Sequence, residues 1–259
     1  MNGSQLFSLA DRVALVTGGS KGIGRMIAEG FVAQGARVYI AARTAAKCEA
    51  TAQELSEFGT CFALPADLST REGIDDLVRR LRERESSLDI LVNNAGTGTL
   101  AAFDDVTDEE WDATVDLNLK WLFFLTQALA PDLRAGASAE RPSKVINIAS
   151  IDAVSVNRLD IDTYAYHASK AAVVHLTKQL GVRLIRDHIV VSAIAPGAFV
   201  SDLNRRALDT PDELAAIIPA RRIGTPEDLA GGAVFLASRA GDYVVGETLV
   251  IDGGFSIMR

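Results

Sequence analysis

The chain has 259 residues, 48% of them hydrophobic and 23% charged, with a formal net charge of −8. That length buries one sizeable core and suits a single α/β domain, and the acidic balance argues against a nucleic-acid surface, which needs a basic patch. Two cysteines, Cys48 and Cys61, give neither a disulfide framework nor metal-ligand spacing. Residues 1–11 lack the basic-then-apolar layout of a leader, and no apolar run reaches the ~18 residues of a membrane span. A cytoplasmic, reducing location without membrane, nucleic acid or metal is the expectation.

Strand-like apolar runs alternate with helical periodicity from one end to the other, which predicts a parallel sheet covered by helices on both faces. The first strand, 12–17, runs into a glycine-rich turn, Gly18-Gly19-Ser20-Lys21-Gly22-Ile23-Gly24, and a helix over 23–34. Strand 36–42 ends at Arg43 and Thr44 and is followed by a helix over 45–57. Strand 60–66 ends at Asp67-Leu68, before a helix over 70–85, and strand 88–93 ends in Asn93-Asn94-Ala95-Gly96. A long helix over 108–131 carries Asn118, and the polar stretch 136–143 reads as a surface loop. Strand 143–150 closes on Ser150, a helix over 163–186 carries Tyr166 and Lys170, and strand 188–195 gives way to Pro196-Gly197. The segment 202–221 spaces Leu203, Leu208, Leu214, Ile217 and Ile218 between charges, as a mobile amphipathic lid near 200–222 would. A helix over 226–237, with Pro226 in its first turn, and a strand over 247–251 complete the pattern. No repeat or interdomain linker interrupts it, so residues 1–259 read as one domain.

This layout collects Thr17, Arg43, Asp67, Asn93, Ser150 and Pro196 at the carboxyl ends of strands, where open α/β sheets bind ligands. Backbone N–H groups at a helix start attract phosphate, and glycines let a pyrophosphate approach them closely. The spacing Gly18, Gly22, Gly24 differs from the common dinucleotide pattern, and alone the turn is a weak signal because glycine-rich turns abound. Where an NAD-binding strand would end in an acid, residues 36–46 contain neither Asp nor Glu. Arg43 offers a planar fork to the 2′-phosphate of NADP, Thr44 a hydroxyl, and Lys21 a second positive charge. Four residues is one helical turn, so Tyr166 and Lys170 share a face, and an ammonium close to a phenol favours the phenolate.

Taken in order, these segments resemble the short-chain dehydrogenase/reductase family nearly end to end. Thr17 through Gly24 is similar to its T-G-x-x-x-G-x-G, Asp67-Leu68 to its adenine-contacting pair, and Asn93 to Gly96 to its N-N-A-G. Asn118, Ser150, Tyr166 and Lys170 are similar to its Asn-Ser-Tyr-Lys catalytic set, and Pro196-Gly197 with Ser201 to the loop over the nicotinamide, with Ser where Thr is usual. The resemblance implies a seven-stranded, doubly wound Rossmann-type sheet and a carbonyl–alcohol oxidoreductase that uses NADP. The expected cofactor site comprises Gly18, Ser20, Lys21, Gly22, Ile23 and Gly24, then Arg43, Thr44, Asp67 and Leu68, then Asn94, Ala95 and Gly96. Tyr166, Lys170, Pro196, Gly197, Phe199 and Ser201 complete it.

In the reduction direction the resemblance gives Ser150 the substrate carbonyl, Tyr166 the proton donation and Lys170 the task of lowering the tyrosine pKa and holding ribose hydroxyls. Asn118 is expected to bind a relay water. His167, His175 and His188 read as structural or surface residues. The stretch from Ser150 to Tyr166 is longer than usual in the family and contains Ser155. Ser150 keeps the position after the buried strand, and 154–162 is expected to bulge and shape the substrate mouth. Tyr164 has Ala168, not a lysine, one turn on, and is expected to line or pack beside the cleft.

Asp252-Gly253-Gly254 is similar to the tail that helps build a homotetramer in the family. A 3-oxoacyl chain on an acyl carrier is one candidate substrate, because the long Ser–Tyr stretch and Tyr164-Ala165-Tyr166 resemble rhamnolipid-type 3-oxoacyl reductases. Arg141, Arg183, Arg186, Arg205 and Arg206 are then a candidate patch for an acidic carrier. Free ketones, sugars and steroids stay open. So do two other classes: a dinucleotide-binding redox sensor without turnover, and an isomerase or dehydratase using the same site.

Overall fold

The computed structural model describes residues 3–156 and 162–258. After a short helix α1 (Gly3–Leu6), seven apolar runs form strands: β1 (Val13–Thr17), β2 (Arg37–Ala41), β3 (Thr60–Ala63), β4 (Ile90–Asn93), β5 (Ser143–Ile148), β6 (Ile189–Pro196) and β7 (Thr248–Ile251). Every pairing is parallel, in the order β3-β2-β1-β4-β5-β6-β7. The chain winds outward from β1 to β3, crosses to β4, and winds the other way. The crevice between the carboxyl ends of β1 and β4 is the point where such a sheet leaves room for a ligand. The single α/β sheet agrees with the expectation, with strand ends shifted by at most three residues.

Helices α2 (Gly22–Ala33), α3 (Ala45–Leu55) and α10 (Pro226–Ala237) lie on one side, and α4 (Arg71–Arg82), α6 (Trp121–Ala135) and α7 (Tyr164–Leu184) on the other. Alternate strand residues feed two cores. Val16, Ile40, Val92 and Ile146 pack with Ile27, Phe31 and Leu229, whereas Leu15, Leu91, Val145 and Val191 pack with Leu77, Leu129 and Leu184. Residues buried on both faces explain why these strands read as continuous apolar runs. Thr225 caps α10 with a capping box, and Pro226 occupies its first turn.

Two stretches differ from expectation. The single helix foreseen over 108–131 is α5 (Asp108–Val115), a π-turn (Asp116–Lys120) and α6. The extra residue in the turn swings Asn118, fully buried, toward the chain after β4. The segment 202–221 holds two short helices, α8 (Arg205–Asp209) and α9 (Pro211–Ile217), broken at Thr210-Pro211 because proline cannot continue a helix. Ala207, Leu214 and Ile218 form a small core of their own under Ile223 and Phe255.

At the amino ends of the strands lies an ion network. Lys144 has no exposed surface, and its Nζ is 2.6 Å from Asp242 Oδ1. Asp89 takes the β1 amide of Val13 at 2.8 Å and the Arg12 guanidinium at 3.3 Å. Burial holds the Lys144 ammonium below the ordinary lysine value.

Candidate active site

The glycine-rich turn and the Asn-Asn-Ala-Gly loop are tied together by one residue, Thr17. Its hydroxyl accepts from the amides of Asn94 and Ala95, each at 2.9 Å, and donates to the carbonyl of Val92 at 3.1 Å. Asn94 Nδ2 returns a bond to the Thr17 carbonyl at 2.8 Å. Gly18 and Gly22 have positive φ, +65° and +50°, where a side chain is strained. A Cβ on Gly24 would strike the Gly18 carbonyl and the Asn94 amide, so this glycine is needed for close packing. Lys21 precedes α2 without a side-chain cap, and the first turn of α2 carries no acid. The leading N–H groups of α2 therefore have neither a side-chain cap nor an acid beside them, a setting that favours phosphate.

Arg43 is exposed just beyond β2 and has no ion pair among the described residues, which suits a guanidinium awaiting a phosphate. Thr44 starts α3 with its hydroxyl uncommitted to a cap bond. Lys21, by contrast, is ion-paired with Asp202, both of them exposed, so any phosphate contact from Lys21 competes with that carboxylate. Asp67 Oδ1 receives the amide and hydroxyl of Ser69 at 3.0 and 2.7 Å. Those two bonds, with a smaller pull from Arg43, hold its carboxyl below the usual range. Leu68 beside it is buried.

On the other side of the crevice, Ser150 follows β5 and Tyr166 and Lys170 project from the first turns of α7. Ser150 Oγ accepts the Asp152 amide at 3.1 Å and donates to Asp152 Oδ2 at 3.1 Å. Ser155 turns its hydroxyl onto the Ile151 carbonyl at 3.1 Å, so of the two serines it is Ser150 that stands at the strand end. Lys170, buried, donates to the Ile148 carbonyl at 2.7 Å, and its Nζ lies 5.6 Å from the centre of the Tyr166 ring. Burial brings the ammonium down to about 8.

The phenol behaves differently from the sequence-based expectation. Burial pushes Tyr166 up to about 12; a hydrogen bond with Ser150 opposes this and the charge of Asp152 adds to it. Lys170 holds its nitrogen over the ring and bonds a carbonyl of its own, and burial is the largest influence on the phenol. The phenol keeps its proton available, and anything that pulls its pKa back down makes it a stronger donor.

Asn118 spends its amide group on protein partners. Its Nδ2 donates to the Thr97 carbonyl at 2.8 Å and the Ser169 hydroxyl at 3.0 Å, and its Oδ1 accepts the Thr97 amide at 2.9 Å. Both amide hydrogens are spent, so the side chain braces the chain after Gly96 and a water there would have to donate to an Asn118 oxygen. Phe199 is 2% exposed and its ring presses on Gly224, which leaves only its main chain for a cofactor. Ser201 comes over the glycine turn, its Cβ 3.2 Å from where a Gly22 side chain would begin, while Pro196 ends β6 and Gly197 packs against Asp252. Tyr164 bonds Asp162 at 2.8 Å and meets Phe103 edge-on at 5.7 Å, beside the cleft.

His167 is less remote than its helical position implies, since its Nε2 comes within 3.6 Å of Asp152 Oδ1. The expected bulge over 154–162 lies largely outside the described residues.

These two walls, a glycine-lined phosphate cradle and a Ser–Tyr–Lys cluster, face each other across one sheet reversal. The family model described as enoyl-(acyl carrier protein) reductase matches residues 18–256. A Pseudomonas aeruginosa rhamnolipids biosynthesis 3-oxoacyl-[acyl-carrier-protein] reductase is 46% identical over 97% of this chain and 98% of its own. The chain belongs to the short-chain dehydrogenase/reductase family. It is accordingly an oxidoreductase of that type. A sorbitol dehydrogenase from Cereibacter sphaeroides is 38% identical over 95% of this chain and 98% of its own. Among solved short-chain dehydrogenase/reductases, the Pseudomonas aeruginosa RhlG/NADP active-site complex superimposes with a TM-score of 0.93 at 46% identity, over 99% of this chain and all of the other. A Burkholderia cenocepacia gluconate 5-dehydrogenase in complex with NADP and tartrate gives 0.90 at 33% identity, over the whole of both chains.

Proposed function

We propose that this enzyme interconverts a carbonyl and a secondary alcohol with NADP(H), Tyr166 giving or taking the proton at the substrate oxygen. What carries the reading is a protonated phenol and a serine hydroxyl at one strand end, opposite an uncapped helix start lined with glycine. The cofactor supplies the hydride. The glycine turn and the leading amides of α2 hold its phosphates, and Arg43 takes the 2′-phosphate. Ser150 orients the substrate oxygen, Tyr166 protonates it, Lys170 reaches the ribose, and Asn118 keeps Gly96 and Thr97 in line. The named NADP complexes of relatives support this choice of cofactor.

Arg43 supplies the test of cofactor choice. A charge-assisted hydrogen bond contributes about 1.5–3 kcal/mol, so Arg43→Ala is expected to weaken NADPH binding about tenfold or more while NADH binding hardly changes. Titration of both cofactors by fluorescence checks this, and equal losses for the two would assign Arg43 a structural role.

For the substrate we favour a 3-oxoacyl compound, as in the reductase 46% identical to this chain, with 200–222 as its lid. A carrier-docking surface is narrower than the sequence implies. Arg141 reaches Asp89 and the Asp11 carbonyl, and Arg183 pairs with Asp187. These residues lie at the amino ends of the strands, opposite the lid, so docking falls to Arg206 of α8. Arg206→Glu is expected to depress turnover of a carrier-bound 3-oxoacyl substrate several-fold at low salt and to spare a short free 3-oxo ester; parallel losses would point to the lid alone. The working form we propose is a cytoplasmic homotetramer. Light scattering at one protomer mass would contradict it.

A further inference from the structure

One ionisable pair leans on Ser150 without belonging to the four expected residues. The turn after β5 folds Asp152 back so that its Oδ2 takes the Ser150 proton at 3.1 Å, while Oδ1 faces His167 Nε2 at 3.6 Å. The other ring nitrogen, Nδ1, lies 2.8 Å from the Thr163 carbonyl and 2.8 Å from the Thr163 hydroxyl. A carbonyl oxygen only accepts, so Nδ1 carries a proton. In a neutral ring Nε2 would then turn a lone pair toward a carboxylate, two acceptors face to face. A second proton, on the ring or on the carboxyl, converts that contact into an attraction.

We propose that His167 and Asp152 hold one proton between them and act as positioning residues for Ser150, the protonated pair being the state that works in reduction. This rests on the reading of Ser150 and Tyr166 given above. With the proton present, the Asp152 charge is drawn to the imidazolium and the serine hydroxyl is free to turn to a substrate oxygen. With the proton lost, the bare carboxylate keeps the serine hydrogen for itself and sets a negative charge beside the spot where an alkoxide develops. It also makes Tyr166 a weaker acid, in keeping with the direction in which Asp152 acts on that phenol.

Two elements packed on α7 carry other charges among the described residues: α5 has Asp108, Glu109, Glu110 and Asp112, with Glu110 lining a hollow beside Tyr164 and Ala165, and the π-turn has Asp116 and Lys120, which pair with each other. The turn Ile151–Ala153 contributes Asp152 alone, and β6, packed against it, has no ionisable side chain. From α7 come Tyr166, edge-on to the His167 ring at 6.3 Å, and Lys170, committed to Ile148. Tyr164 and Asp162 bond each other. An aspartate that merely closed the turn after Ser150 would be indifferent to the histidine, and this separates the two roles experimentally.

The test is a double-mutant cycle read as kcat against pH with saturating NADPH. His167→Phe keeps an aromatic ring but leaves Asp152 uncompensated, and is expected to lower kcat about tenfold, a coupling within the range of contacting pairs. Adding Asp152→Asn should restore kcat to within about threefold of the unmodified enzyme. The KM for NADPH should stay unchanged throughout, and Asp152→Asn should shift the alkaline fall in kcat, leaving only the part set by Lys170 and Tyr166. Additive losses, or pH profiles that do not move, would overturn the proposal.

Nitrogen NMR of the His167 ring in the NADP-loaded protein decides the matter without turnover. Nδ1 should keep its proton while Nε2 gains and loses the second one, at a pH that Asp152→Asn displaces; loss from Nδ1 first, or an unmoved transition, would be fatal. A fully active Tyr166→Phe would instead sink the catalytic reading and leave this NMR result standing, so the two failures are distinguishable.

Discussion

Tyr166→Phe is expected to reduce turnover by roughly 10²–10⁴-fold, the usual worth of a positioned general acid, which corresponds to about 3–5 kcal/mol of barrier. NADPH affinity should change little, because the phosphate cradle, the exposed Arg43 and the α2 amides lie on the opposite wall. Phe keeps the ring that packs on Gly98, where a Cβ would come within 3.1 Å of the tyrosine, so the fold should be retained. The sharp outcome is a kcat effect without a binding effect. Steady-state kinetics with an independent cofactor titration measures both. Turnover within a few-fold of the unmodified enzyme would remove Tyr166 from the chemistry.

The second large effect is on stability. Asp242→Ala leaves the Lys144 ammonium, which has no exposed surface, without its partner at 2.6 Å. Breaking such a pair costs about 3 kcal/mol or more, a large share of the ~5–15 kcal/mol that holds a domain together. The pH dependence has a definite sign. Burial already holds the folded Lys144 below its ordinary 10.5, so the unfolded chain binds that proton more tightly. Stability therefore rises with pH between the folded and unfolded values. Without Asp242 the folded value falls further, and the variant's deficit should narrow as pH climbs toward ~10.5. Lys144→Met combined with Asp242→Ala should recover most of the loss, since both charges are gone. Urea unfolding at two pH values checks these points, and a deficit that widens with pH would contradict the assignment.

Where a feature is written in local pattern, the sequence was enough to find it. The seven strands are apolar because both faces are covered, and the glycine turn is recognisable because Gly18, Gly22 and Gly24 recur at close spacing between a strand and a helix, although the groups that require them, Asn94 and Ser201, are distant in the chain. The capping of α10 by Thr225 and Pro226 is equally local. Features that depend on distant partners stayed hidden. The π-turn at Asn118 exists because its side chain is claimed by Thr97 and Ser169, and nothing in the helical periodicity of 108–131 announces that. The direction of the Tyr166 shift depends on how deeply α7 is packed, which outweighs a lysine one turn away. His167 sits one residue off the Tyr166 face, so helical geometry assigns it elsewhere; only the fold-back of Asp152 after β5 brings a carboxylate to it. The five arginines look like a patch when counted along the chain, but the parallel topology sends Arg141 and Arg183 to the opposite end of the sheet from α8.

The most direct test of the account is the unmodified enzyme mixed with NADPH and a panel of ketones, headed by a free 3-oxoacyl ester and a keto sugar acid, with reduced-nicotinamide absorbance followed over time. Absorbance is expected to fall, matched mole for mole by a secondary alcohol, and faster with NADPH than with NADH. Tight NADPH binding with no loss of absorbance on any ketone, and no gain with NADP and any alcohol, would contradict it and leave a dinucleotide-binding protein without turnover.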